Sequence, residues 1–595
     1  MASIDRKTAV TAVVAISAAP LLILLTKSLR KWWRNRQLRQ DIDRFIRARD
    51  NDVKTVREIV ANFNQDDGNR AKTIAIQRLG FQELQESLQG EQYSAVEVLI
   101  AYWEKALVAH EATNCVTHFV LEALQAAEVL DFEYRGEEKP RLFGVPFSVK
   151  ESIEVEGYNC TRGYAQDVSR APARSSALAV RLLQQAGAIP FVRTNVPQTL
   201  VAIHCSNPIF GTTTNPYDVT RTAGGSSGGE GALIGSAGAP FGLGTDIGGS
   251  IRIPAHFCGV VGFKPTSTRV SKLGAAFSIP GVQMLNAAVG VLSADVKTLV
   301  YVLDVLLESQ AASSLQDYYT VPMPLKSELV RGRRKLRIGY WKPEGRSSDD
   351  HVHRTVPACL RAVEKAMGAL EKAGHELVPW TFPDADQALA MAFACALMDR
   401  GKYMANQLSS GIPHHWEPLL LLLTSGLPPS VQRALAWLAG TPASTAMFNQ
   451  IPASTEDLRK LYARIAQFKT AVGAAWSESG LDGLVCPALS TAAVPLGDAY
   501  FSRIGPSVTA FTMLFNLLDF CAGVVPVAKV SAEDEARTAA LGGGRDRFER
   551  VVHKVNSSGA SGLPVGVQCV AAPFNEEICL RLMKDVEMNV SLLED

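Results

Sequence analysis

The chain has 595 residues, enough for one large domain or several ordinary ones. Its 60 Lys and Arg residues nearly balance its 59 Asp and Glu residues, and 47% of the residues are hydrophobic. This composition is typical of a globular protein and excludes a global charge field that would attract nucleic acid or acidic substrates. Ten cysteines without a C-x-x-C pair indicate reduced thiols rather than a disulfide framework.

The N-terminus carries an uncharged apolar run over residues 8–26, close to the length that crosses a bilayer. Six basic residues follow between residues 27 and 39, before the first acid, so the remainder of the chain is expected on the cytoplasmic side. A cleaved signal peptide is the alternative, but Pro20 would follow the cut after Ala19. We predict a single-pass anchor over residues 1–26 at an intracellular membrane, with the endoplasmic reticulum as the expected one.

The next segment, residues 27–75, has charged and apolar residues at helical spacing, which predicts a basic helical stalk. One compact domain is expected over residues 76–595, with a capping box at Ser94 and Glu97 near its start. Six apolar runs predict buried strands at residues 142–150, 188–196, 336–341, 481–489, 522–530 and 565–571. Helical patterns lie between them at residues 175–187, 294–308, 354–374 and 457–478. This alternation predicts an α/β domain whose sheet is covered on both faces.

Two glycine-rich segments hold three serines, Ser226 and Ser227 in "GGSSGGEG" (224–231) and Ser250 in "DIGGSIR" (246–252). A phosphate-binding loop is disfavoured because no Lys-Ser/Thr pair follows the glycines. An α/β-hydrolase elbow, G-x-S-x-G, fits the first segment but leaves the second without a role. A flexible Gly/Ser linker is the third alternative.

An active serine needs a base within reach. A Ser-His-Asp triad stays open at this point because His204 or His256 could fold near the serines. The stretch "DDHVH" (349–353) has metal-ligating residue types without a ligand spacing, and we interpret it as a solvated loop. We interpret Cys258 as a small core residue rather than a nucleophile.

The two serine segments together are more specific than either alone. The span "GGSSGGEGALIGSAGAPFGLGTDIGGSIRIP" (224–254) resembles the signature of the amidase signature family over its whole length. Further segments similar to that family are "LFGVPFSVKES" (142–152), "GFKPT" (262–266) and "LPVGVQCVA" (563–571). From about residue 80 to about residue 585 the chain is most similar to the membrane-bound members that hydrolyse fatty acid amides. The resemblance implies an amidase-signature α/β fold with a large, mixed, twisted sheet covered by helices on both faces.

The resemblance also implies a role for each residue of the site. Ser250 is the expected nucleophile, Ser226 its proton relay and Lys150 the base, which must be buried so that its pKa falls and the amine is neutral at pH 7. The peptide bond between Gly225 and Ser226 is expected to be cis. The expected oxyanion-hole and substrate-binding residues are Ile247, Gly248, Gly249, Ser250, Leu200 and Ser226, with Ser227, Asp246 and Arg252 in support.

A second apolar stretch, within residues 411–442, contains "WEPLLLLL" and "GLPP". The run is too short to cross a bilayer twice, and we predict a membrane-binding cap, with a buried helical hairpin as the alternative. The implied partners are a lipid amide and membrane lipids, without nucleic acid, metal or organic cofactor, and with a homodimer as one option for the assembly.

The resulting hypothesis is a membrane-bound serine amidase that converts N-acylethanolamine-type and primary long-chain fatty acid amides to fatty acid and amine through an acyl-enzyme. An ammonia-releasing amidotransferase-type subunit is the first alternative. A catalytically inactive, membrane-tethered scaffold is the second.

Overall fold

A computed structural model describes residues 6–277, 279–313, 317–343, 355–414, 425, 427–438, 448–497, 508–544 and 547–590. For residues 6–31, 386, 436–438 and 547–548 it describes the backbone alone. The strands are β1 (Val116–Phe119), β2 (Pro146–Lys150), β3 (Ile189–Thr194), β4 (Ser206–Asn207), β5 (Gly211–Thr212), β6 (Phe241–Asp246), β7 (Val261–Lys264), β8 (Ala288–Ser293), β9 (Arg337–Tyr340), β10 (Glu376–Pro379), β11 (Gly483–Pro487), β12 (Cys521–Lys529) and β13 (Pro564–Ala571).

The helices of the first half are α1 (Arg6–Phe63), α2 (Asp67–Arg78), α3 (Phe81–Gln89), α4 (Ala95–Thr113), α5 (Glu122–Glu133), α6 (Leu178–Gln185), α7 (Gly228–Gly235), α8 (Arg252–Cys258) and α9 (Val296–Ala312). Those of the second half are α10 (Ser327–Val330), α11 (Pro357–Lys372), α12 (Ala385–Ala396), α13 (Lys402–Ser409), α14 (Pro429–Leu438), α15 (Thr455–Glu478), α16 (Ala510–Leu518), α17 (Ala532–Ala540), α18 (Arg547–Asn556) and α19 (Glu576–Asn589). A short 3-10 helix spans Ala165–Ser169.

The main sheet has eleven strands in the order β1-β3-β2-β6-β8-β7-β12-β13-β11-β9-β10. It is mixed: β2 runs parallel to β3 and β6, and β9 runs parallel to β10 and β11, whereas the central strands pair antiparallel. All six predicted strands are present in it, and the four predicted helices correspond to α6, α9, α11 and α15. The predicted capping box is also confirmed, because Ser94 caps α4 together with Glu97.

Helices cover both faces of this sheet. Successive residues of a strand point to opposite faces, and in β11 the neighbours Val485 and Cys486 belong to two separate buried clusters. One cluster includes residues of α4, α6, α9, α11 and α19, and the other includes residues of α12, α15 and α16. The predicted α/β class with a large mixed sheet is therefore confirmed.

The long helix α1 is packed against the body of the protein over part of its length. Leu38, Ile42, Val56 and Val60 are buried, at a spacing that places them on one side of the helix. Phe45 contacts the rings of His118 in β1 and of Phe210 just before β5, so the packed surface begins well before residue 76. Residues 27–63 of the segment predicted as a stalk thus belong to α1, which packs against the body of the protein. No helix in the described part of the chain is long and apolar enough to cross a membrane.

The close packing of α7 explains a glycine of the first serine segment. The Gly229 N–H donates to the carbonyl oxygen of Asn195 at 3.1 Å. A Cβ at Gly229 would lie 2.3 Å from the backbone nitrogen of Asn195 and 2.7 Å from the carbonyl oxygen of Cys115. Because both contacts are with backbone, no side-chain rotation can relieve them.

We therefore predict that Gly229→Ala lowers the free energy of unfolding by about 1–3 kcal/mol, the range for overpacked cores. Gly368→Ala is the matched control, because Gly368 lies inside α11 and a Cβ there meets nothing within 4 Å. It should raise stability by about 0.5–1 kcal/mol through helix propensity. Urea denaturation compares the two, and a Gly229→Ala protein as stable as the wild type would contradict this packing.

Candidate active site

Two parallel strands end side by side at the site, and the last residue of each belongs to it. Lys150 is the last residue of β2 and Asp246 the last residue of β6, and the two strands pair in parallel. Ser226 lies in the loop before α7, and Ser250 in the short loop between β6 and α8. All four residues are buried.

The amine of Lys150 has three polar contacts, none of them charged. Its Nζ lies 2.8 Å from Ser226 Oγ, 2.8 Å from Thr245 Oγ1 and 3.4 Å from the carbonyl oxygen of Thr245. No carboxylate of the described residues hydrogen-bonds to it. Burial lowers the pKa of Lys150 to about 7, and the charges of nearby acids, Asp246 foremost, oppose this shift only in part. The lysine thus has the lowered pKa that a base at neutral pH requires.

The serines lie next to this lysine. The Gly225–Ser226 peptide is cis, as the resemblance implied. The Ser227 N–H donates to the Ser250 carbonyl at 3.0 Å, and Ser227 Oγ lies 3.4 Å from the Thr245 carbonyl. Ser226 and Ser250 are not hydrogen-bonded to each other in this structure. Catalytic hydrogen bonds are often long in unliganded sites and shorten when substrate binds.

Asp246 and Arg252 form a buried, bidentate ion pair below the loop that carries Ser250. Arg252 Nη2 and Nε lie 2.8 and 3.0 Å from the two carboxylate oxygens of Asp246. The same carboxylate accepts the N–H groups of Gly249 at 2.8 Å and of Ile251 at 3.1 Å. The pKa of Asp246 lies far below its ordinary value because Arg252 and these donors outweigh the effect of burial. Asp246 therefore fixes the loop through two of its N–H groups, and Arg252 fixes the carboxylate of Asp246.

The four N–H groups predicted as oxyanion donors differ in their hydrogen bonds. The N–H groups of Ile247, Gly248 and Ser250 have no acceptor among the described residues, whereas the Gly249 N–H is engaged by Asp246. Thr512 Oγ1 donates to the Gly248 carbonyl at 2.6 Å, which fixes the orientation of the following peptide. The Gly249 N–H is thus taken by Asp246, and the roles of Ile247, Gly248, Gly249 and Ser250 as oxyanion donors stay a prediction.

An apolar cavity of about 270 Å³ opens beside Ser250. Its wall includes the predicted residues Leu200, Ile247 and Gly248, and Leu200 has a φ of 58°. The other lining residues are Val201, Ala202, Ile203, Gly225, Ile253, Ile279, Leu285, Phe393, Ala396, Leu397, Met404, Thr509 and Met513. The space next to the predicted nucleophile is therefore suited to a hydrocarbon group.

His256, which the sequence left open as a triad base, is held by backbone groups in the structure. Both ring nitrogens of His256 are bound by backbone, since Nδ1 accepts the Gly566 N–H at 3.1 Å and Nε2 lies 3.0 Å from the Thr491 carbonyl. Burial lowers the pKa of His256 to about 4, and raises the pKa of the Cys258 thiol. Neither ring nitrogen of His256 is therefore available to a serine. The stretch 349–353 lies outside the described residues.

Sequence reasoning missed several residues of the site. Thr245 contacts the lysine, Thr512 contacts the oxyanion loop, and Glu230 is fully buried, where Thr194 Oγ1 donates to it at 2.7 Å. Arg252 also donates to Gln568 Oε1 at 2.7 Å. Thr245 and Glu230 stand inside the quoted signature, but no residue pattern there distinguishes them. Thr512 is distant in the sequence and carried no signal.

The site thus brings the buried Lys150 into contact with Ser226 at the edge of an α/β sheet, with Ser250 in the wall of the adjoining cavity. Comparisons with known proteins show the family to which the chain belongs. A family model described as Amidase matches residues 97–580. The chain is 39% identical over 519 residues to fatty acid amide hydrolase 1 of Caenorhabditis elegans, which covers 86% of this chain and 88% of that protein.

A second relative gives the same family, and a solved structure gives the same fold. The chain is 36% identical over 511 residues to fatty-acid amide hydrolase 1 of Sus scrofa, covering 85% of this chain and 84% of that protein. A solved structure of a fatty acid amide hydrolase superposes with a TM-score of 0.73 at 22% identity, over 93% of this chain and 95% of that one. The chain therefore belongs to the amidase signature family. It is an amide hydrolase.

The Asp246–Arg252 pair yields a testable expectation. We predict that Arg252→Met lowers the free energy of unfolding by about 3–5 kcal/mol, because it leaves the buried carboxylate of Asp246 without its cation. The control is Arg334→Met, since Arg334 pairs with Asp482 at a solvent-exposed site and should cost less than about 1 kcal/mol. Urea denaturation of both variants decides, and equal losses would contradict the assigned weight of the buried pair.

Proposed function

We propose that this protein hydrolyses long-chain fatty acid amides with Ser250 as nucleophile, Ser226 as proton relay and Lys150 as base. The observation that carries the proposal is the 2.8 Å contact between Lys150 Nζ and Ser226 Oγ in a buried site. Because burial lowers the pKa of Lys150 to about 7, a large share of the amine is neutral at neutral pH. A neutral amine can accept the proton that a serine loses.

In the first half of the reaction Ser250 Oγ bonds to the carbonyl carbon of the amide. Its proton passes to Ser226, whose own proton passes to Lys150. The carbonyl oxygen gains negative charge and is stabilised by the free N–H groups of the 247–250 loop, at about 3 kcal/mol per donor in comparable sites. The C–N bond then breaks as the relay runs backwards and protonates the leaving nitrogen.

In the second half water replaces the amine. Water attacks the acyl-Ser250 ester, loses its proton to the same relay and releases the fatty acid, and Ser250 regains its proton. Every proton taken by Lys150 is thus returned within one half-reaction. The enzyme is unchanged at the end of the cycle.

The substrate class is inferred from the cavity and the relatives. Apart from Ser250 and Thr509 the side chains that line the cavity are apolar, so it favours a hydrocarbon chain attached to the scissile carbonyl. Two relatives at 36–39% identity are described as fatty acid amide hydrolases. We infer N-acylethanolamines and primary fatty amides as substrates, with Leu200 among the residues that contact the acyl chain.

We predict that Lys150→Ala lowers the rate at pH 7 by about 10²–10⁴-fold, the usual contribution of a general base. The loss should shrink at high pH, where hydroxide replaces the missing base. In the wild type the rate should rise with pH through about 7, because the form that accepts a proton is the neutral amine. Hydrolysis of oleamide across pH 5–10 measures both effects.

Lys105→Ala serves as the control, since Lys105 is a partly buried lysine of α4 whose Nζ contacts the Gln77 carbonyl.

A fluorophosphonate should label Ser250 in the wild type and nothing in Ser250→Ala. Labelling of Ser226 together with a fully active Ser250→Ala protein would refute the assignment. Absence of any labelling would favour the inactive scaffold.

We also propose that the protein is held at an intracellular membrane by an anchor over residues 1–26 and a cap over about residues 411–442. The uncharged run of residues 8–26, followed by a basic cluster, supports the anchor. In the cap, Val431 and Leu435 are each 41% exposed, one turn apart on α14. The predicted cap residues Trp416 and Leu420 lie outside the described residues.

A protein that lacks residues 1–30 is therefore expected to float with liposomes, held by the cap alone. Adding Val431→Asp and Leu435→Asp should release it, since each charge would enter the interface, while cleavage of a short soluble amide is kept. The matched control is Val108→Asp, an exposed valine on α4. A truncated protein that stays in solution before these changes would show that the predicted cap does not bind the membrane.

A further inference from the structure

We propose that Thr245 is a positioning residue that aims the lone pair of neutral Lys150 at Ser226 and stabilises the ammonium formed when the proton arrives. The inference rests on the proposed roles of Lys150 and Ser226. It does not depend on which amide is the substrate.

The contacts of Thr245 differ from those of every other neighbour of the lysine. Thr245 supplies two acceptors to Lys150 Nζ, its hydroxyl at 2.8 Å and its carbonyl at 3.4 Å. Ser226 supplies the third contact, at 2.8 Å. Thr245 is itself buried, in a strand that lies between β2 and β8, so its position is fixed by the sheet.

A neutral lysine has two N–H groups and one lone pair. Lys150 Nζ has three contacts, so two of them can accept its N–H groups and the third faces its lone pair. The Thr245 carbonyl can only accept, so it takes one N–H. If the Thr245 hydroxyl accepts the other, the lone pair is left for the Ser226 hydroxyl, which is the orientation that proton transfer needs.

The same contacts fit the charged form. After proton transfer the ammonium has three N–H groups, and its three contacts, the two of Thr245 and the one of Ser226, are then all acceptors. The titratable groups around Lys150 are Asp246, Cys205, Glu230 and Glu151. None of them hydrogen-bonds to the amine among the described residues, so Thr245 is, besides the proposed relay Ser226, the group whose removal changes the hydrogen bonding of Lys150 directly.

The test uses the full chain in detergent and the rate of fluorophosphonate labelling at Ser250 from pH 5 to pH 10. Thr245→Val keeps the shape and removes the hydroxyl. We expect the plateau rate to fall about 10- to 100-fold, as for loss of a hydrogen bond to a charged group. The midpoint of the pH profile should move to lower pH, because the ammonium loses an acceptor and the pKa of Lys150 falls further.

Thr245→Ser restores the hydroxyl and should recover most of the rate and the original midpoint. Thr538→Val is the control for removing a buried threonine hydroxyl elsewhere, since Thr538 Oγ1 donates to the Asp534 carbonyl within α17, and its profile should match the wild type. Thr245→Cys, whose thiol is a weak acceptor, replaces the valine variant if that protein does not fold, with the same expected direction.

A wild-type plateau rate in Thr245→Val would overturn the proposal. So would a midpoint that moves to higher pH, which would mean that the hydroxyl donates to the lysine lone pair or that water has entered the site. A wild type that labels normally with the expected variant pattern, yet does not cleave oleamide, would refute the proposed substrate and leave the role of Thr245 supported.

Discussion

The site depends on burying one amine without giving it a charged partner. Lys150 Nζ contacts two hydroxyls and a carbonyl, uncharged groups that can accept from the amine in either form but do not hold the ammonium as a carboxylate would. An adjacent carboxylate would hold the ammonium form, and so would water. Burial at the end of β2 excludes both, and the pKa of Lys150 falls to about 7 as a result. The roles proposed for the two serines depend on this lysine being neutral.

Asp246 is the acid whose charge most opposes this fall in the pKa of Lys150, but it pairs with Arg252 rather than with the lysine. Its two oxygens are occupied by Arg252 and by the N–H groups of the loop that carries Ser250. The Asp246 carboxylate is therefore paired with Arg252, and its hydrogen bonds to the N–H groups stabilise the loop. One buried ion pair thus holds the loop that carries Ser250, and it leaves Asp246 without a hydrogen bond to Lys150.

The sequence predicted the elements whose residues are locally consistent. Apolar runs such as 565–571 formed strands as expected, because β-branched residues buried on both faces have few other options. The strand β6, "FGLGTD", was missed since two glycines weaken the strand pattern. The segments similar to the family indicated the lysine and the serines, whereas Thr512 lies outside all of them and Gln568 lies in one of them without an assigned role. Only the folded sheet brings them together, and no local pattern could reveal that.

Glu230 completes the electrostatic argument, because it is the other buried acid of the signature near Lys150. Its described contacts are hydroxyls, those of Ser148 and Thr194, and burial raises its pKa to about 7. A hydroxyl can donate to a carboxylate or accept from a protonated carboxyl, so these contacts survive when Glu230 is neutral. A neutral Glu230 does not favour the ammonium of Lys150, whereas an ionised one would. The two acids of the signature therefore differ: Asp246 is paired with Arg252, whereas burial raises the pKa of Glu230 to about 7.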